Sequence, residues 1–248
     1  MKSYLHRHCR LLATLTALCC PLFAQTETPP ANTTAKAPTE VQKLPFIAEI
    51  EAFETAGKKK PPPQNAVLFL GSSSIRLWKT LAQDFPELTV LNRGFGGSQI
   101  SDSIRYFDRI VLPHKPKMIV FYGGTNDIAA RESPEQVAND FKQLASLVRI
   151  FLPETRLAFI SANPSVARWQ LDDKMRELNR LVKQYIEEND GKNGKLSFLE
   201  SHAKLLSAEG KPRPEILQKD GLHLNEEGYK LWLSILKPQI LALVGKDK

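Results

Sequence analysis

Cysteine is scarce in this 248-residue chain: Cys9, Cys19 and Cys20 are the only three, and all fall at the extreme N-terminus. If that segment is removed, nothing remains for a disulfide framework, a thiolate metal site or a cysteine nucleophile. Histidine is also sparse, at five, with His6 and His8 in the same segment. No apolar run reaches the roughly 20 residues that a membrane-spanning helix needs. The basic residues do not gather into the clustered stripe of a nucleic-acid binder. Neither GxGxxG nor GxxxxGK[ST] occurs, which argues against the common nucleotide-binding loops. There are no internal repeats. What is present, 42% hydrophobic and 25% charged residues, excludes a wholly disordered or collagen-like chain. The length suits one large domain or two small ones, and a single domain of about 200 residues can bury a sizeable core without metal or disulfide.

The formal net charge of +7 is unevenly placed. Lys2, Arg7 and Arg10, and none of the 27 acids, lie in residues 1–24, so the rest is only mildly basic. A basic start, the apolar stretch Leu11–Cys20 and the small Ala24 before polar Gln25-Thr26-Glu27 describe a signal peptide over 1–24. A buried N-terminal helix would continue past Gln25, and this pattern does not. Cys19 and Cys20 lack the small residues expected before a lipid-attachment cysteine. Residues 25–44 are rich in Thr, Pro and Ala, and such a segment buries too little apolar surface to order, so it reads as a flexible tether. The protein is therefore expected to be exported, periplasmic or extracellular, with residues 45–248 as its folded domain.

Phe46, Ile47, Ile50 and Phe53 recur at helical spacing, and Lys58–Lys60 with Pro61–Pro63 ends that helix. Beyond Asn65, short apolar runs alternate with longer helical patterns. The runs 66–70, 88–91, 117–122, 156–160 and 195–199 read as buried strands. Helices are expected over 74–83, 98–110, 134–151, 171–188 and 225–243. Strand–helix alternation implies right-handed crossovers and a mostly parallel five-stranded sheet in a three-layer α/β/α sandwich. Ligands in such folds bind beyond the carboxyl ends of the strands, so functional residues should sit just after a strand.

The polar clusters pass that test. Gly71-Ser72-Ser73-Ser74 follows the first run, Asn92-Arg93-Gly94-Phe95-Gly96-Gly97 the second, and Gly123-Gly124-Thr125-Asn126-Asp127 the third. A serine hydroxyl is a weak nucleophile and needs a base within hydrogen-bond reach. His114 precedes the third run and faces the wrong end of the sheet. His202 follows the fifth run, but the sequence gives it no acidic partner in a fixed short turn. His223 has Asp220 three residues earlier with Gly221 between, so the carboxylate can hold one ring nitrogen while the other faces a hydroxyl. Ser73 is the candidate nucleophile, although Ser72–Ser74 would also serve as a helix cap. The N–H groups of Ser73 and Gly97 and the amide of Asn126 are candidate donors to an oxyanion. Turn glycines and an Asx turn are the simpler roles for the same residues.

These blocks resemble the SGNH/GDSL hydrolase superfamily of serine esterases and lipases from about Ala66 to Tyr229. The resemblance selects Ser73, two residues after Gly71, as nucleophile. It also selects Gly97 and Asn126 for the oxyanion hole and Asp220 and His223 as the partners of Ser73. It implies a flavodoxin-like fold and ester hydrolysis without metal or organic cofactor. Ser72 stands where the family often has Asp. The stretches Gly71-Ser-Ser-Ser-Ile-Arg-Leu-Trp78 and Asn92–Gly97 are similar to a bacterial branch of GDSL-like esterases.

The loop 162–170 follows the fourth run and should overhang the site, with Arg168 and Trp169 as candidate contacts to an alcohol or sugar. Trp169 would equally anchor the next helix, and Trp78 and Trp232 read as packing residues. No long apolar lid segment is visible, which favours short acyl groups over long-chain lipids. The expected partner is a small-molecule or glycan ester, with no nucleic acid and no membrane span. The alternatives are a lysophospholipase or thioesterase using the same residues, and an inactive glycan-binding module.

Overall fold

The computed structural model describes residues 44–190 and 194–245. The expected signal peptide and nearly all of the expected tether lie outside them. Helix α1 (Ile47–Lys59) leads into β1 (Val67–Gly71). The short helices α2 (Ser73–Arg76) and α3 (Leu81–Asp84) and strand β2 (Val90–Gly94) follow. Then come α4 (Ile100–Arg105), α5 (Phe107–Ile110), β3 (Met118–Tyr122), α6 (Thr125–Ala129), α7 (Pro134–Phe151) and β4 (Arg156–Ile160). Helix α8 (Asp172–Asp190), β5 (Leu196–Leu199) and α9 (Glu226–Val244) complete the domain.

The five strands form one sheet in the order β2-β1-β3-β4-β5, and all four pairings are parallel. That is the flavodoxin-like doubly wound order. The sheet's two faces carry separate apolar clusters because successive side chains of a strand point to opposite sides. Leu68 and Leu70 of β1 belong to a cluster with residues of α1, α4, α5, α7 and α8. Val67 and Phe69 belong to one with α2, α3 and α9. Phe46, Ile47, Ile50 and Phe53 pack on the first cluster as their spacing predicts. Trp78 and Trp232 are buried in the second and stack at 5.2 Å between ring centroids.

Helix α6 falls where the sequence expectation has no helix, and three further elements differ from it. Strand β2 runs over Val90–Gly94 rather than 88–91. Its register pairs Val67 with Val90 and Gly71 with Gly94, so backbone pairing carries polar Asn92 and Arg93 into the strand. The helix expected over 74–83 is two pieces, with Trp78 between them donating its Nε1–H to Asp84 Oδ2 at 2.6 Å. The helix expected over 98–110 starts only at Ile100, where Gln99 and Asp102 form a capping box, and it breaks at Tyr106.

Candidate active site

The carboxyl ends of β1, β2 and β3 share one edge of the sheet. Gly71, the last residue of β1, has φ +138°, and a Cβ there would lie 1.9 Å from the Tyr122 carbonyl. Only glycine lets the chain leave β1 this close to β3. Ser72 then donates its N–H to that same carbonyl at 3.1 Å, and its own carbonyl accepts from Ile75 and Arg76 to begin α2. Asn92 fastens the turn from the side: its Nδ2 donates to the Ile75 carbonyl at 2.7 Å, and its Oδ1 accepts from Gly94 N–H at 2.9 Å.

These constraints present the hydroxyl of Ser73, the first residue of α2, to His223. Ser73 Oγ lies 2.9 Å from His223 Nε2, and His223 Nδ1 lies 2.6 Å from Asp220 Oδ2. The other Asp220 oxygen accepts the N–H groups of Leu222 and His223 at 2.9 and 3.0 Å. The imidazole, first of all, and these two N–H groups hold the Asp220 carboxyl down to about 2. It is therefore ionised throughout the neutral range and keeps the Nδ1–H tautomer of His223. Ser72 is buried, and the Ser74 carbonyl accepts from Tyr229 Oη at 2.8 Å. Of the three consecutive serines, Ser73 is the one that meets a histidine.

Asn126, near the start of α6, donates Nδ2–H to the Ser98 carbonyl at 3.0 Å and accepts from Arg168 Nη2 at 2.9 Å. Ser73, Asn126, Arg168 and His223 line one cleft with Asn163 and Leu222, and its volume is about 20 Å³. Gly97 (φ +78°) lies outside that lining, exposed, on the loop whose Ser98 holds Asn126. A Cβ on Gly97 would meet nothing within 4 Å, so φ and not crowding demands the glycine there. Trp169 also lies outside the lining, half-buried, with Lys211 Nζ 5.5 Å from its ring centroid.

The sequence model of the GDSL-like lipase/acylhydrolase family matches residues 64–231, more than half of the chain. The chain belongs to the GDSL-like lipase/acylhydrolase family. It is accordingly a carboxylic ester hydrolase. Comparison with curated proteins gave no match. Among solved structures, a GDSL-like lipase from Bacteroides thetaiotaomicron is 20% identical, with a TM-score of 0.65 over 79% of this chain and 98% of that one. A carbohydrate esterase family 3 protein from Talaromyces cellulolyticus is 18% identical, with a TM-score of 0.61 over 73% of this chain and 98% of that one. A mutant of a Geobacillus acetyl-xylooligosaccharide esterase is 16% identical, with a TM-score of 0.57 over 72% and 95%. At these identities the likeness is one of fold.

Three features of this GDSL-family site are not legible in the sequence. The loop 162–170 rests on the Asp220–His223 turn, where Ala167 N–H donates to the Gly221 carbonyl at 2.9 Å. Beneath that loop, Ser161 Oγ accepts the N–H groups of Ser201 and His202, both at 2.9 Å. Asn163 joins the same buried network: its amide donates to Ser201 Oγ at 2.7 Å and accepts from Trp232 Nε1 at 3.2 Å. Finally, His202 does have an acidic partner. Its Nε2 lies 2.9 Å from Asp172 Oδ1, both residues are buried, and Arg176 closes on the other Asp172 oxygen at 2.6 Å. Asp172 opens α8, thirty positions before His202 in the chain, and no local pattern connects the two. The pair braces β5 against α8; it is not part of the cleft lining.

Proposed function

We propose that this protein is an exported serine esterase that removes short acyl groups, with carbohydrate O-acetyl esters as the favoured substrate. The observation that carries the reading is the unbroken chain from Ser73 through His223 to Asp220, 2.9 and then 2.6 Å. His223 Nε2 takes the proton as Ser73 Oγ attacks the ester carbonyl. Asp220 holds the tautomer and stabilises the imidazolium. Ser73 N–H, Gly97 N–H and Asn126 Nδ2 receive the charge that develops on the carbonyl oxygen. His223 returns the proton to the leaving alcohol, and water then cleaves the acyl-enzyme.

Two observations favour a short acyl group. The cleft beside Ser73 is small, about 20 Å³. Its walls are largely polar, from Asn126, Asn163, Ser165 and Arg168. The carbohydrate esterase and acetyl-xylooligosaccharide esterase of the same fold support an acetylated sugar. Export rests on the N-terminal segment, and N-terminal sequencing of the secreted protein should begin at Gln25.

The decisive assay follows nitrophenol release from acetyl, butyryl and octanoyl esters by the parent and by Ser73→Ala, with folding checked by circular dichroism. The reading expects the parent to be active, fastest on acetyl, and the folded variant to be inactive. Acetate release from acetylated xylo-oligosaccharide tests the glycan. A preference for octanoyl would select the lysophospholipase or thioesterase alternative, and an active Ser73→Ala would move the nucleophile elsewhere.

A further inference from the structure

Directly behind Asn126 the chain gathers three carboxylates that ester hydrolysis does not use. Asp127 lies in α6, Glu132 in the turn that follows and Asp140 on α7, and one carboxylate oxygen of each lies within 4.8 Å of the other two. Asp127 is fully buried. Its Oδ1 accepts the Ile100 N–H at 2.8 Å, whereas its Oδ2, equally buried, meets no hydrogen-bond donor. Glu132 accepts from Gln99 Nε2 at 3.0 Å and Asp140 from Gln143 Nε2 at 3.2 Å. Among the described residues, none of the three forms an ion pair with a lysine, arginine or histidine.

Carboxylates this close repel one another, and a buried carboxylate oxygen without a donor is unfavourable in itself. A bound cation removes both penalties together. The donors are all oxygen, which suits a hard cation and not the nitrogen and sulfur preference of zinc. Ca²⁺ accepts irregular carboxylate sets completed by water, at about 2.3–2.6 Å, whereas Mg²⁺ demands a near-ideal octahedron. Glu132 and Asp140 are partly exposed, so the cluster is open to water and to an entering ion on one side.

We propose that Asp127, Glu132 and Asp140 bind one Ca²⁺ ion that ties together the segments carrying Gly97 and Asn126. Asp127 adjoins Asn126 in sequence and holds Ile100, and Glu132 holds Gln99, so two of the three acids already grip the end of the Gly97 loop. Asp140 joins both to α7. The ion is structural and takes no part in the ester chemistry. Its binding stands apart from the esterase reading, and only an effect on turnover would rest on that reading.

The test strips the purified protein with EDTA and titrates it with CaCl₂ by calorimetry, alongside thermal melting of the parent, Asp140→Asn and Glu132→Gln. The expected result is one Ca²⁺ per chain and a melting temperature higher by about 5–10 °C at a hundredfold excess over Kd. Each variant should fold and lose affinity by about tenfold or more. Mg²⁺ should give a smaller shift; a larger one overturns the assignment to Ca²⁺. The proposal is overturned by absent binding at millimolar Ca²⁺, by an equal shift from NaCl at matched ionic strength, or by unchanged binding in both variants. It is likewise overturned if Asp140→Asn raises the melting temperature in EDTA while Ca²⁺ leaves the parent unchanged, the signature of a shared proton. A parent that binds Ca²⁺ but cleaves no ester would instead sink the esterase reading alone.

Discussion

The guanidinium of Arg168 donates to Asn126 Oδ1 at 2.9 Å while Nδ2 of the same amide donates to the Ser98 carbonyl at 3.0 Å. Together these bonds fix the orientation of the amide. The oxygen is occupied by a cation, and the nitrogen keeps a second hydrogen, the one that the proposed mechanism gives to the oxyanion. Arg168 thus positions Asn126, on a loop that the sequence assigned to substrate contact.

Removing that brace should act on turnover. Arg168→Ala should lower kcat on an acetyl ester by about 10- to 100-fold with little change in KM, because a mis-set donor is lost chiefly to the transition state. Arg168→Lys should recover part of the loss. Asn126→Ala should cost on the order of a hundredfold or more and remain folded. Steady-state kinetics of the three variants check this. A rise in KM alone in Arg168→Ala would make Arg168 a substrate contact.

Asp220 stays ionised down to about 2. Between about pH 4 and pH 7 it therefore does not titrate, and Asp220 should contribute no proton to the acid limb of the kcat/KM profile. The check is the limiting slope of log kcat/KM against pH, expected to be one. A slope of two would bring Asp220, or another essential group, into that window. Asp220→Asn should keep the fold and lose activity by orders of magnitude, because the carboxylate no longer fixes the tautomer.

Stability should respond to pH through a different histidine. His114 is buried, and burial first, with Arg93 second, pushes its imidazole down to about 4. Arg93 Nε donates to His114 Nε2 at 3.3 Å, which requires the neutral ring. As pH falls below the unfolded value of about 6.5, the unfolded chain takes up a proton that the folded chain refuses until about 4. Stability should therefore drop by up to about 2 kcal/mol between about pH 7 and about pH 5. Urea unfolding of the parent and of His114→Gln checks this, and the variant should show the smaller drop.

The His202–Asp172 pair makes a prediction of stability without chemistry. His202→Ala leaves a buried carboxylate with Arg176 as its remaining partner and should destabilise the fold by about 2–4 kcal/mol. Activity at low temperature should persist, since neither residue lines the cleft. Denaturant unfolding and ester assays on one preparation separate the two effects. A kinetic defect without a loss of stability would place the pair in the reaction.

Much of the site was readable because its parts are local. Gly71–Ser74 and Asp220–His223 are each held by a tight turn, and tight turns depend on residues a few positions apart. Strands β1, β3 and β4 are readable because they are fully buried, and fully buried parallel strands are continuous apolar runs. Strand β2 was misplaced by the same logic. Asn92 and Arg93 look like loop residues, yet pairing with β1 keeps them in the sheet. The breaks at Trp78 and Tyr106 are not legible in the sequence, because a broken helix keeps its apolar spacing. The carboxylate cluster of Asp127, Glu132 and Asp140 follows no ligand spacing that marks a metal loop, so the sequence by itself predicts no metal.

Sequence alone determined the sandwich, the family, and Ser73, Asp220 and His223 as candidates, because each follows from periodicity or a short motif. Tertiary structure decided which serine meets the histidine, what Arg168 holds, where His202 finds its acid and how three carboxylates converge. Those relationships join residues tens of positions apart. Their distances are set by strand register and helix packing, which local sequence does not encode.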